Sequence, residues 1–117
     1  NVLFLKNISL NDIRAIYSKA EIMIYPSIFE GFGIPILEAL FSKVPVITSK
    51  DGCFSEAGGP STTYVNPFSS EEIKNAIIKI QSSKELKNKM IKNGYRYAQN
   101  FTDEKIASNL MTLYKSL

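Results

Sequence analysis

The sequence has no histidine and only one cysteine, Cys53, among its 117 residues. The absence of histidine excludes every catalytic scheme in which an imidazole is the acid, the base or the activator of a nucleophile. A zinc site is not expected, because proteins bind zinc mainly through cysteine and histidine. A single cysteine cannot close an internal disulfide, which fits a reducing compartment. Any chemistry in this chain therefore depends on carboxylates, hydroxyls, lysine, arginine and backbone amides.

Long apolar runs are also missing. No stretch approaches the ~20 consecutive apolar residues that a transmembrane helix requires. The first residues, Asn1 to Lys6, are too short a segment for a signal peptide and lack its basic lead. Apolar residues make up 44% of the chain and charged residues 21%, an ordinary globular balance. We expect one domain with one hydrophobic core, in a cytoplasmic protein.

The net charge of +3 is unevenly distributed. Residues 1–69 contain five Lys/Arg and six Asp/Glu, a net charge of −1, whereas residues 70–117 contain nine and five, a net charge of +4. We interpret the basic excess as solvated helix faces and expect no nucleic-acid partner. Nucleic-acid binding and peripheral contact with the anionic inner face of a membrane are the alternatives that the charge pattern leaves open.

Four short segments have the composition of strands. Residues 22–25 are a continuous apolar run, a pattern typical of strands buried on both faces of a parallel sheet. Residues 44–48 are predicted as another buried strand, with Pro45 near its start, where proline is tolerated. Residues 2–5 form a short β-type run, and residues 62–65 form a short strand that is stopped by Asn66-Pro67.

Helical patterns alternate with these segments and follow them. Ser9 is placed to cap the first helix, and Pro35 fits the first turn of the second, where its missing N–H costs nothing. Ser69 and Glu72 form a capping-box pattern before the third. A fourth helix is predicted over 84–98, and Thr102 can cap a fifth. Residues expected to face inward include Ile13, Ile16, Tyr17, Leu86, Met90, Ile91, Tyr97, Ile106, Leu110, Leu113, Tyr114 and Leu117.

The resulting order is β-α-β-α-β-loop-β-α-α-α. Strands that alternate with helices imply right-handed crossovers and a parallel sheet. We therefore predict an α/β fold, a Rossmann-like parallel sheet of about four strands flanked by helices, with residues 1–117 forming a single partial domain. Exposed apolar surface on an unpaired edge strand would favour dimerisation of this chain.

The loop over 25–33 is the strongest candidate for a binding site. In open α/β sheets, ligands bind beyond the carboxyl ends of the strands, where this loop should lie. Gly31 and Gly33 allow close approach of a ligand to the backbone, and the following helix presents unpaired amides and the positive end of its dipole. A diphosphate fits such a site, although a Gly-x-Gly sequence is more often simply a turn. Phe32, between the glycines, is either a core residue or a stacking platform.

Two carboxylates flank this anion-binding feature, Glu30 before it and Glu38 within the helix. Because a carboxylate would repel a phosphate, we expect both to accept hydrogen bonds from neutral hydroxyls, as on a ribose or a sugar. The alternatives are an ordinary loop charge for Glu30 and an exposed helix residue for Glu38. The pattern favours a ligand with a diphosphate between two polyols.

The segment Tyr25-Pro-Ser-Ile-Phe-Glu30-Gly-Phe-Gly-Ile-Pro-Ile-Leu-Glu38-Ala-Leu40 resembles the E-x7-E motif of retaining GT-B glycosyltransferases, most closely those of glycosyltransferase family 4, also called glycosyl transferases group 1. Residues 12–26 resemble the helix and strand before the motif, and residues 44–49 the strand after it. The similarity covers nearly all of the chain in order.

This resemblance implies the second half of the C-terminal, nucleotide-sugar-binding domain of a GT-B enzyme, with the active site in the cleft between two domains. It implies that Glu30 is the catalytic residue beside the donor sugar and that Gly31, Phe32 and Gly33 offer amides to the sugar and diphosphate. Ile34 would lie near the nucleotide, and Glu38 would bind the ribose. Such enzymes transfer a sugar to a hydroxyl acceptor with retention, need no metal or other cofactor, and commonly act on glycan or lipid-linked acceptors.

The chain departs from the family pattern because the Arg and Lys that neutralise the diphosphate, and the acceptor domain, lie upstream of residue 1. We therefore expect this chain alone to be inactive as a transferase. Alternatives are a GT-B sugar-nucleotide epimerase and a non-catalytic nucleotide-binding or interaction module. A dinucleotide-binding dehydrogenase is disfavoured, because Gly33 is followed by Ile-Pro-Ile and not by the Gly-x-x-Gly geometry.

Overall fold

A computed structural model describes residues 1–117 as one parallel sheet with helices on both faces. The sheet has three strands in the order β1 (Met23–Tyr25), β2 (Val46–Ser49) and β3 (Thr63–Val65). Both pairings are parallel, with Ile24 beside Ile47 and Thr48 beside Tyr64. The central strand β2 is buried along its whole length, as predicted for the strand over 44–48.

Six α-helices and one 3-10 turn complete the chain. They are α1 (Leu10–Lys19), α2 (Ile34–Phe41), α3 (Phe54–Gly58), α4 (Ser70–Ser82), α5 (Lys84–Ala98), the 3-10 turn Gln99–Phe101, and α6 (Asp103–Ser116). The predicted caps are confirmed, because the side chains of Ser9, Ser69 and Thr102 each accept a hydrogen bond from an amide in the first turn that follows. None of the helices combines the length and the apolarity needed to cross a bilayer.

The core lies on the two faces of the sheet because consecutive residues of a strand point in opposite directions. Val46 belongs to the larger cluster, which α2 and α3 build around Ile36, Leu40 and Phe54. Its neighbour Ile47 belongs to a smaller cluster with residues of β3, α4 and α5. The helix α5 contributes to both clusters, and thus holds the two layers together.

The predicted first strand, residues 2–5, is wrong. These residues form no strand, and the side chains of Val2, Leu3 and Phe4 are 78–89% exposed. A strand is stable only when a neighbour completes its hydrogen-bond ladder, and no strand of this chain lies beside these residues. The sheet consequently has three strands and not about four.

The last helix forms as predicted but buries none of its apolar residues. Leu113 and Tyr114, for example, are 56% and 68% exposed, although both were expected to face inward. The helix α1 likewise has no fully buried residue; Tyr17 is half-buried and Ile16 is exposed. An amphipathic pattern predicts that a helix has an apolar face, but not that this chain supplies the surface to cover it.

The capping box predicted at Ser69 is only half formed. The Ser69 hydroxyl accepts from the amide of Glu72, but the Glu72 carboxylate accepts from the amide of Asn66, at 2.7 Å, and not from that of Ser69. The complete box occurs at α1, where Ser9 and Asp12 bond each other's amides. Asp12 at the third position was not recognised as the partner because the usual pattern has Glu or Gln there.

Candidate functional site

The loop over 26–33 joins β1 to α2 at the carboxyl edge of the sheet, as predicted. Three side chains, two at the end of β2 and one just before α3, donate hydrogen bonds to carbonyl oxygens at this edge. Two of these oxygens lie in the loop, and the third lies at the end of β1. The pairs are Thr48 with Tyr25 at 2.8 Å, Ser49 with Ser27, and Cys53 with Glu30 at 3.4 Å. Thr48 and Ser49 are buried, so the central strand sets the path of the loop.

Two hydroxyl groups hold the carboxylate of Glu30. The phenol of Tyr25 and the hydroxyl of Ser27, the latter at 3.1 Å, both donate to Oε1. The hydrogen bond to the Glu30 carboxylate, with lesser contributions from burial and nearby charge, raises the pKa of Tyr25 to about 12. Oε2 of Glu30 accepts from no protein donor, so this oxygen is free for a ligand.

Three successive amides lie between Glu30 and α2 without a partner. The N–H groups of Gly31, Phe32 and Gly33 donate to no acceptor in the protein. Gly33 is the N-cap of α2 and has a φ of 92°, in the left-handed region, and no side chain caps the helix. A Cβ at Gly33 would lie 3.1 Å from Cδ1 of Ile36, so both conformation and space favour glycine. The result is a short run of unpaired donors at the positive end of a helix dipole, a pattern suited to an anion; Gly31 is exposed, Phe32 half-buried and Gly33 buried.

Glu38 lies one helical turn after Ile34, on the same exposed face of α2. The hydroxyl of Tyr17, on α1, lies 3.4 Å from Oε2 of Glu38 and 3.3 Å from the carbonyl oxygen of Pro35. Burial, followed by the charge of Glu38 and the hydrogen bond to it, raises the pKa of Tyr17. A groove of about 260 Å³ borders this pair between the two helices. Its lining residues are Leu10, Ile13, Arg14, Tyr17, Glu38, Phe41 and Ser42.

The side chain of Phe32 packs against the larger core cluster. Its ring is half-buried and packs against Phe101, with the ring centroids 5.7 Å apart. Of the two alternatives that the sequence left open, the core position is the observed one. Ile34, by contrast, is 56% exposed at the start of α2, and a Cβ at Gly31 would meet no atom within 4 Å.

The candidate residues thus lie together at the carboxyl edge of the sheet, where the loop meets the start of α2: Glu30, Gly31, Phe32, Gly33 and Ile34. Glu38 lies one helical turn further along α2. Sequence reasoning did not identify the two tyrosines that bond the carboxylates. Tyr17 was assigned only to a buried helix face, and Tyr25 to the end of a strand and the start of the candidate loop, with no bond to a carboxylate. A tyrosine that ends a strand just before an acidic loop is the signal that could have identified Tyr25.

Comparison with known proteins gives a consistent result. Residues 1–97 match the family described as glycosyl transferases group 1. The chain is 44% identical over 80 residues to the O-antigen chain mannosyltransferase RfbU of Salmonella typhimurium, an alignment that covers 68% of this chain and 23% of the relative. The chain therefore spans about a quarter of the length of that relative.

Two solved structures share the fold. Sucrose-phosphate synthase from Thermosynechococcus elongatus superimposes with a TM-score of 0.84 at 29% identity, over 97% of this chain and 29% of the other. The C-terminal domain of the group 1 glycosyl transferase LpcC from Francisella tularensis gives 0.73 at 31% identity, over 86% and 51% of the two chains. The resemblance stated from the motif is confirmed: this chain belongs to the glycosyl transferases group 1 family and has the α/β fold of its C-terminal domain.

Proposed function

We propose that this chain is the donor-binding part of a retaining glycosyltransferase, which transfers a sugar from a nucleotide-diphosphate-sugar to a hydroxyl acceptor. One observation carries the proposal. Three partnerless amides, those of Gly31, Phe32 and Gly33, lie between two carboxylates that protein hydroxyls already hold in place. Free amides suit a diphosphate, and flanking carboxylates suit the hydroxyls of two sugars.

The proposed roles follow from the chemistry of each group. The amides and the helix dipole of α2 would stabilise the diphosphate and, during transfer, the negative charge on the departing nucleotide. Glu30 would accept hydrogen bonds from the hydroxyls of the donor sugar. Glu38 would do the same for the ribose, and Ile34, exposed on the same face, would contact the nucleotide.

The name of the Salmonella relative supports a more specific donor and acceptor. Because that protein is a mannosyltransferase for an O-antigen chain, we propose a mannosyl donor and a glycan or lipid-linked acceptor for this protein. We propose further that transfer takes place on the cytoplasmic side, where the thiol of Cys53 stays reduced. We also propose that it needs no metal, so that a chelator should leave the rate unchanged.

An amide NMR titration of this chain tests donor binding. UDP, GDP and ADP, each with and without a mannosyl or glucosyl group, are added to the wild type, to Glu38→Ala and to Glu85→Ala. Glu85 is an exposed carboxylate at the start of α5, which makes its variant a matched control. We expect shifts concentrated in residues 26–38 for one nucleotide, largely lost in Glu38→Ala and retained in Glu85→Ala.

Two results would contradict the proposal. One is the absence of any selective shift at millimolar concentrations of every ligand, and the other is a set of shifts equally affected by both substitutions. Turnover of donor and acceptor by the 117-residue chain alone would contradict a narrower expectation, that groups outside this chain are needed to neutralise the leaving diphosphate.

A further inference from the structure

The carboxylate of Glu30 is bonded on one side only. Tyr25 and Ser27 both donate to Oε1, while Oε2 accepts from no protein group. Two donors on one oxygen fix the rotation of the carboxylate and leave the other oxygen with its full capacity to accept. The arrangement therefore gives the Glu30 side chain a defined orientation before any ligand arrives.

Both donors are themselves anchored to the buried central strand. The backbone of Tyr25 pairs with Thr48 of β2, whose hydroxyl also donates to the carbonyl oxygen of Tyr25. The carbonyl oxygen of Ser27 accepts from the buried hydroxyl of Ser49. Hydrogen bonds from the end of β2 thus fix the backbone of the two residues whose hydroxyls bond the carboxylate.

We propose that Tyr25 and Ser27 are positioning residues, which hold Oε1 of Glu30 so that Oε2 is presented to the hydroxyls of the donor sugar. The inference rests on the proposed function of Glu30. It adds that Tyr25 and Ser27, without touching the ligand themselves, determine how much more tightly the nucleotide-sugar binds than the nucleotide alone. The phenol of Tyr25, whose pKa is raised to about 12, is protonated at neutral pH and is therefore able to donate.

The energetic consequence is specific to the sugar. A Glu30 carboxylate that has lost a donor samples more orientations, so its hydrogen bond to a sugar hydroxyl weakens. Because a hydrogen bond to a charged group changes affinity by about tenfold, the affinity for the nucleotide-sugar should fall by up to this factor. The nucleotide, bound by the amides and by Glu38, should not sense this change. A merely structural role for Tyr25 would instead weaken the binding of nucleotide and sugar conjugate together.

The test measures dissociation constants for GDP and for GDP-mannose. The sugar-dependent gain is the factor by which the nucleotide-sugar binds more tightly than the nucleotide alone. Another nucleotide and its sugar conjugate replace this pair if they give a larger gain with the wild type. The variants are Tyr25→Phe, Ser27→Ala, the double variant and Glu30→Ala. The control is Tyr64→Phe, which removes a phenol that donates to the carbonyl oxygen of Gly59, at 2.6 Å, away from Glu30.

We expect Tyr25→Phe and Ser27→Ala to reduce the sugar-dependent gain about threefold to tenfold, and the double variant to approach Glu30→Ala. Binding of GDP should stay within about twofold of the wild type in all of them, and Tyr64→Phe should keep the gain. An unchanged gain in the double variant, or an equal loss of GDP and GDP-mannose binding, overturns the positioning role while the proposed function stands. If Glu30→Ala also leaves the gain intact, or the wild type shows none, the role of Glu30 in the proposed function fails, and this inference with it.

Discussion

The ring of Tyr97 lies so close to the backbone of Gly59 that a Cβ added there would be 2.5 Å from Cδ1 of the ring. Gly59 ends α3 with a φ of 65°, a conformation that side chains rarely adopt. The Tyr97 hydroxyl donates to the carbonyl oxygen of Glu56 at 2.6 Å, one turn earlier in the same helix. This contact joins α5 to the short helix that stands beside the candidate site.

Replacement of Gly59 by alanine should therefore destabilise the fold. The added methyl group meets the Tyr97 ring, and the backbone conformation becomes strained, so we expect the free energy of unfolding to fall by about 2–5 kcal/mol. Gly31→Ala is the matched control, because a Cβ at Gly31 meets no atom within 4 Å. Urea denaturation should place Gly31→Ala within about 0.5 kcal/mol of the wild type. Equal stabilities for the two variants would contradict the close packing at Gly59.

The ionisation of Tyr25 should depend on Glu30. Because the hydrogen bond to the Glu30 carboxylate is the largest cause of the raised pKa, Glu30→Gln should lower the pKa of Tyr25 from about 12 towards 10. The pKa of Tyr64, raised to about 12 chiefly by burial, should not change. An NMR titration of the tyrosine ring carbons measures both, and a shift of Tyr64 equal to that of Tyr25 would contradict a local cause.

The same shifts determine the sign of the alkaline pH dependence. A tyrosine whose pKa is higher in the folded than in the unfolded state stabilises the fold fully below pH 10, and this contribution is lost as the pH rises towards about 12. We expect the free energy of unfolding to fall over this range and to fall less steeply in Tyr25→Phe. Denaturant titrations at several alkaline pH values measure the slopes, and identical slopes would count against a raised pKa of Tyr25.

Glu38 should govern recognition of the ribose. If its carboxylate binds the ribose hydroxyls, the wild type should prefer a nucleotide over its 2′,3′-dideoxy analogue by about fivefold to tenfold, and Glu38→Ala should remove this preference. Tyr17→Phe, which deletes the hydroxyl 3.4 Å from Oε2 of Glu38, should reduce the preference only about twofold to threefold. Isothermal titration calorimetry gives the affinities. A preference that survives Glu38→Ala would show that another group binds the ribose.

The hydroxyl of Thr48 should control the order of the loop over 26–33. Thr48 is fully buried and donates to the carbonyl oxygen of Tyr25, so Thr48→Val removes the donor while nearly keeping the shape. Thr48→Ser keeps the hydroxyl and loses a methyl group. We expect both to lower the free energy of unfolding by about 1 kcal/mol, but only Thr48→Val to speed amide exchange in the loop. Faster exchange in both variants would mean that packing, and not the hydrogen bond, orders the loop.

The helix α6 should contribute little to the stability of the rest of the chain. It has no buried residue, so deletion of residues 103–117 should change the free energy of unfolding of the remainder by no more than about 0.5 kcal/mol. Its apolar side chains, such as Leu113, could instead drive the dimerisation predicted from the sequence. Light scattering after size-exclusion chromatography should show less dimer for Leu113→Glu than for the wild type. A monomeric wild type would contradict the predicted dimer.

Much of the fold could be predicted because its signals are local. Ser9, Ser69 and Thr102 cap helices through contacts within a few residues, and the short segment over 44–48 predicted a buried strand. The strand predicted over 2–5 failed because a strand depends on a neighbour that need not be close in sequence, or present in this chain.

For the candidate site, the sequence alone determined which residues are available. Glu30, Gly33 and Glu38 lie within nine consecutive positions, so their placement around the start of one helix follows from the spacing. Only the tertiary structure decided how the carboxylates are held. Tyr17 reaches Glu38 because α1 lies beside α2, and Tyr25 reaches Glu30 because the loop after β1 folds back towards the end of that strand. Thr48 and Ser49 fix the loop because parallel strands end at the same edge of the sheet. Such contacts depend on three-dimensional packing and on directional hydrogen bonds, which a linear pattern of residues does not specify.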